Sequence, residues 1–112
     1  MPEQRIDVVL EVRLQLLSAE AGGRPNPVHS GLRPLWRIEG DPPSALGGLC
    51  EVELLSVEEV IPGGAADVLL KFARGAIDPD CLTAGSQINL MDGPKLPLGT
   101  ATVKAIRSHP NG

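Results

Sequence analysis

Ile6-Asp7-Val8-Val9-Leu10-Glu11-Val12-Arg13-Leu14-Gln15-Leu16-Leu17 alternates apolar with polar residues over most of its length. Ile6, Val8, Leu10, Val12, Leu14 and Leu16 share one parity, and Asp7, Glu11, Arg13 and Gln15 fall on the other. Successive side chains of an extended chain point to opposite faces, so the pattern predicts a long strand with one buried face. The next stretch, Ser18 to Gly31, holds three glycines and two prolines and ends that strand.

Working outward, a short second strand is predicted over Leu32 to Ile38, with Trp36 and Ile38 on one parity. Gly40, Asp41, Pro42, Pro43, Gly47 and Gly48 make Glu39 to Gly48 a loop. Alternation resumes over Cys50 to Val60, where Cys50, Val52 and Leu54 oppose Glu51 and Glu53. Ile61-Pro62-Gly63-Gly64 then places proline and glycine at the two central positions of a type II turn. Ala66, Val68, Leu70 and Phe72 form the inward parity of a fourth strand, Gln87 to Met91 a fifth and Leu98 to Arg107 a last one. Ile77-Asp78-Pro79-Asp80 and Gly93-Pro94 supply the remaining turns. Six strands without a helical period predict one all-β domain, a closed or nearly closed antiparallel barrel with its core over about 6–107 and a frayed tail over 108–112.

A chain of 112 residues can bury a modest core, and with Trp36 and Phe72 its only aromatics that core is filled by Val, Leu, Ile and Ala. The formal net charge of −4 and the scattered lysines and arginines disfavour binding to a phosphate backbone. Met1 to Arg13 carries Glu3, Arg5, Asp7 and Glu11, which leaves no apolar signal-peptide core, and no run is long enough to span a bilayer; cytoplasmic residence is the expectation. Cys50 and Cys81 lack CxxC spacing and read as reduced thiols.

Reactive groups are present without the arrangement that catalysis needs. His29 and Ser30 are adjacent, and neighbours in extended chain do not face each other. Cys50, Cys81, His29 and His109 are too dispersed for an ordinary zinc module, and Asp78-Pro79-Asp80 lacks the glycine and glutamate of a calcium loop. Gly22-Gly23 follows a strand without opening a helix, which makes it a turn rather than a phosphate loop, and Glu58-Glu59 reads as the solvated end of a strand. No catalytic residue, metal or cofactor is therefore expected.

Gly22-Gly23-Arg24-Pro25-Asn26-Pro27-Val28-His29-Ser30-Gly31-Leu32-Arg33-Pro34-Leu35-Trp36 resembles the signature GGRxxPxxxGYRPxF at the start of the C-terminal barrel domain of elongation factor Tu. Gly22, Gly23, Arg24, Pro27, Gly31, Arg33 and Pro34 match with the family's spacing, and Trp36 stands where an aromatic is usual. Val60-Ile61-Pro62-Gly63 is similar to the family's VMPG turn, Gly85-Ser86-Gln87-Ile88 to GLRF, Asp92-Gly93-Pro94-Lys95 to EGGR, and Gly99 to Val103 to the strand that closes the barrel. The resemblance spans Val8 to Arg107 and implies a six-stranded antiparallel Greek-key-like β-barrel. In that family the domain packs beside a second barrel and the GTPase domain and helps hold the T-stem of aminoacyl-tRNA. This chain departs at Leu32, where the family has tyrosine, and at Gln87, Met91 and Lys95, where it has arginines. It also lacks GxxxxGK[ST], so GTP binding is not expected and tRNA binding is disfavoured. Arg24 and Arg33 are either a binding pair or supports of their own loop.

Val9, Leu17, Leu35, Leu55 and Leu69 fall on the parity that faces water if the strands enclose one core. Either a partner covers them, or bulges and loops do. The expected function is a non-enzymatic module that binds a protein partner or forms a homodimer through Leu17, Leu35, Leu55 and Leu69. The alternative is a translation-associated, tRNA-binding protein.

Overall fold

The computed structural model describes residues 6–38, 48–73, 76–77, 82–93 and 96–108. They form one antiparallel sheet of six strands: β1 (Ile6–Leu16), β2 (Leu35–Ile38), β3 (Glu51–Leu54), β4 (Ala65–Ala73), β5 (Gln87–Met91) and β6 (Pro97–Ser108), in the order β2-β5-β6-β1-β4-β3. The fold is all-β, and among the described residues no helix is long and apolar enough to cross a membrane.

The sheet curls into a half-barrel as its internal strands β6, β1 and β4 wrap one continuous apolar face around the interior. Val8, Leu10, Val12, Leu14 and Leu16 of β1 lie against Ala66, Val68, Leu70 and Phe72 of β4, with Ile88, Leu90, Leu98, Ala101 and Val103 from the other side, all buried. The edge strands approach each other at one end. Cys50 N–H donates to Pro34 O at 3.0 Å, Val52 N–H to Leu32 O at 2.9 Å and Gly31 N–H to Val52 O at 2.8 Å, beside an isolated Leu35–Leu49 bridge. Trp36 meets Phe72 edge to face, with ring centroids 5.3 Å apart, an arrangement worth about 0.5–1.5 kcal/mol beyond its buried area. Among the described residues the buried Trp36 Nε1–H has no hydrogen-bond partner.

The ends of four strands differ from the sequence expectation. β2 begins at Leu35 rather than Leu32, because Pro34 has no N–H to give β5 and the carbonyls of Leu32 and Pro34 turn toward the β3 segment instead. β3 stops at Leu54 rather than Val60. There the Leu54 N–H is taken by Ser30 Oγ at 2.8 Å, and the chain leaves β4 and re-pairs only at Val60, with Val28. β1 ends at Leu16, one residue early. β6 runs on to Ser108, which pairs with Val9, so Ser108 belongs to the sheet and not to a frayed tail; residues 109–112 lie outside the described residues.

The Pro62-Gly63 turn forms as expected, with Gly64 N–H donating to Ile61 O at 2.8 Å and Gly63 at φ 83°. Gly99 is required for another reason. A Cβ there would lie 2.3 Å from Gln15 O and 2.9 Å from Leu16 Cα, so β6 crosses β1 too closely for any side chain. Two register shifts between these strands, at Val9/Leu10 and Glu11/Val12, mark bulges that leave Lys104 through Arg107 exposed beyond buried Val103.

Candidate functional site

The Gly22–Trp36 segment does structural work at most of its positions. Gly22 adopts φ 97°, and a Cβ on Gly23 would sit 2.8 Å from both Leu17 Cβ and Leu17 O. Arg24 donates through Nε to Asn26 O at 3.0 Å and pairs through Nη1 with Asp92 Oδ2 at 3.3 Å, which ties this loop to the β5–β6 hairpin. Pro27 is half-buried before the Val28–Val60 bridge, Gly31 turns at φ 97°, and Pro34 and Trp36 are buried. Arg33 alone among the polar signature residues points to solvent without a hydrogen-bond or ion-pair partner among the described residues, so the structure does not join Arg24 and Arg33 into one site.

The outside of the sheet divides into two unlike faces. Over β6, β1, β4 and β3 it is charged. Asp67 Oδ1 meets Lys104 Nζ and Arg13 Nη1, each at 3.3 Å, Lys104 reaches Glu11 Oε2 at 3.9 Å, and Lys71 pairs with Glu53. Lys104, with Arg13 after it, holds the Asp67 carboxyl below its ordinary pKa. Leu69 lies within this face, opposite Glu11 on β1 and Glu53 on β3.

At one end of β2, β5 and β6 an outward row is apolar, while the next outward residues, Arg37, Asn89 and Thr100, are polar. Leu35 is opposite Met91, Met91 is opposite Pro97, and Leu35 bridges to Leu49 on its other side. Directly opposed residues share a face at Cβ separations of about 4.5–5.5 Å, so these side chains form one row across the strands. Leu17 closes the far end, where it lines a groove of about 270 Å³ with Met91, Pro97, Arg37, Asn89 and Thr100. Leu49 is 55% exposed and Leu17 36%, so the row ends in solvent on both sides. Of the four leucines singled out from the sequence, Leu17 and Leu35 thus belong to one band, Leu69 sits among carboxylates, and Leu55 lies past the last rung of β3, 43% exposed. Leu49, Met91 and Pro97 were missed. The outward parity of Met91 next to buried Leu90 was the signal that could have found one of them.

No protein-family model matches the chain, and no curated protein matches it. Its site is therefore read from its own geometry.

The reactive groups do not converge. His29 Nε2 lies 3.2 Å from Glu59 Oε1 on the surface, while Ser30 Oγ accepts the Leu54 N–H rather than facing His29. Burial pushes the Cys50 thiol up to about 12, which keeps it protonated and unreactive, with its Sγ 3.7 Å from Pro34 O. Among the described residues no three of His, Cys, Asp and Glu group as metal ligands. Asp78, Asp80, Cys81, Lys95 and His109 lie outside the described residues.

Proposed function

We propose that the chain is a non-enzymatic protein-binding module of the elongation factor Tu barrel type, acting in the cytoplasm, whose contact face is the band from Leu17 through Pro97, Met91 and Leu35 to Leu49. The observation that carries this reading is the continuity of that row on an outward sheet face, next to a face where the outward side chains are charged. Covering a largely exposed leucine is worth about 1.5–3 kcal/mol before the entropy of association is subtracted, so a few such residues suffice for a modest complex. The tRNA alternative has no comparable support. Arg13, Arg24, Lys71 and Lys104 each face a carboxylate, which leaves them poorly placed to release counterions from phosphates.

The test is a comparison of Leu35→Asp and Leu49→Asp with Leu69→Asp. The full chain and its variants would be compared by sedimentation, and each would be used as bait in native lysate. The two band variants should abolish association while Leu69→Asp retains it. Equal behaviour of all three, with folding intact, would remove the reading.

A further inference from the structure

Of the six large apolar residues that the described part of the chain leaves exposed, four lie in segments stitched into one rim, at the end of the sheet where β1 finishes: Leu17, Leu55, Val57 and Ile61. Leu16 N–H donates to Gly64 O at 2.9 Å and Gly63 N–H to Leu17 O at 3.2 Å, which joins the end of β1 to the turn before β4. Val28 and Val60 exchange backbone bonds at 2.9 Å, and Ser30 Oγ accepts the Leu54 N–H, which joins the β3–β4 connection to the segment before β2. Ile61, 60% exposed, is the most open of the four and sits in the turn that Gly63 ties to Leu17.

The uncompensated charge on this rim is of one sign. Glu20, in the Ser18–Gly23 turn, and Glu58, in the connection, are exposed and have neither an ion pair nor a hydrogen bond among the described residues. The basic residues between Leu16 and Ser30 are Arg24 and His29, which already face Asp92 and Glu59, and the stretch from Leu55 to Gly64 holds none. We propose that the rim docks a basic amphipathic segment of a different protein, whose apolar side chains cover Ile61, Val57, Leu55 and Leu17 while its lysines or arginines meet Glu58 and Glu20. This surface adjoins the contact band at Leu17 and does not depend on it.

Charge and apolar character together select that occupant. Unpaired carboxylates on a chain of net charge −4 repel nucleic acid and anionic lipid, and they draw in a cationic segment. A second copy of the chain carries the same net charge and would set like against like. A small cation would leave the four apolar side chains in water, whereas an amphipathic segment covers them and answers the carboxylates in one contact.

The test uses the full-length chain and a fluorescein-labelled decapeptide of alternating leucine and lysine, followed by anisotropy. The parent should bind it, less tightly as salt is raised, and should not bind the leucine–glutamate counterpart. Glu58→Lys should weaken binding by about tenfold or more, while Glu51→Lys, an equal change of net charge on β3 opposite Lys71, should leave it within about twofold. Ile61→Asp should also weaken it about tenfold although it adds a negative charge, because the apolar contact is lost. Urea midpoints close to the parent's would show that each variant is folded. No binding by the parent, equal losses for Glu58→Lys and Glu51→Lys, or full binding by Ile61→Asp overturns the inference, as would binding to anionic vesicles in place of the peptide. Leu35→Asp should leave peptide binding unchanged, so the band can fail as a contact face while the rim stands; loss of the peptide in that variant would place it on the band and overturn the rim.

Discussion

The charged face over β6-β1-β4 and the apolar row across one end of β2, β5 and β6 are built on the same curled sheet and back onto the same core, yet they treat their outward positions in opposite ways. Leu69 and Leu35 show the contrast. Both are aliphatic residues on the outward parity of a strand, but Leu69 stands opposite Glu11 and Glu53 while Leu35 stands opposite Met91 and beside Leu49. An isolated leucine among ion pairs is ordinary surface, whereas a row of apolar residues crossing adjacent strands is a surface that gains from being covered. What distinguishes them is cross-strand pairing, not residue type or parity.

The seam between the two faces is Gly99, and the largest effect is expected there. Gly99→Ala drives a Cβ onto the Gln15 carbonyl and the Leu16 backbone, and the fold should lose about 3 kcal/mol or more in urea unfolding because neither obstacle is a movable side-chain end. A loss below about 1 kcal/mol would mean that β1 and β6 are not in fact so close, and the two faces would not be held in this relation.

A smaller effect is expected for Arg24→Ala, which frees Asp92 and unties the signature loop from the hairpin beneath the apolar face. The pair is partly buried and shares Arg24 with Asn26 O, so about 1–2 kcal/mol should be lost. Amide exchange should quicken at Asp92 and Gly93 and stay unchanged at Asp67. Equal loosening of both faces would argue that the bridge does not separate them.

The smallest effect belongs to the charged face. Asp67 has a folded-state pKa below its ordinary value of 3.8, so its ion pairs stabilise the fold fully above that value, and the contribution fades as pH falls through the lower folded value. The stability difference between the parent and Asp67→Asn should therefore be present near neutral pH, shrink in acid, and shrink also in high salt. A difference that grows on acidification would contradict the assigned network.

Much of the fold was legible because alternation reports directly on which side chains face inward. Leu10, Val12 and Leu14 in β1 and Val68 and Leu70 in β4 are all buried on the predicted parity. The ends of β2 and β3 were not legible, because they depend on partners distant in sequence: Pro34 with Cys50, and Leu54 with Ser30. The binding surface was half legible for the same reason. Parity marks Leu17, Leu35, Leu55 and Leu69 alike as outward, but only the β2-β5-β6 order and register place Met91 and Pro97 between Leu35 and Leu17 and set Leu69 among glutamates. Leu49 was hidden by a proline- and glycine-rich loop that gave no reason to expect a bridge.

The division of the two faces is tested most directly by methyl NMR of the leucine- and methionine-labelled chain, followed from dilute to concentrated solution. The methyls of Leu17, Leu35, Leu49 and Met91 should shift together with a single concentration midpoint while those of Leu69 stay fixed. Shifts of Leu69 with the band residues unmoved would contradict the assignment of the apolar face as the contact surface.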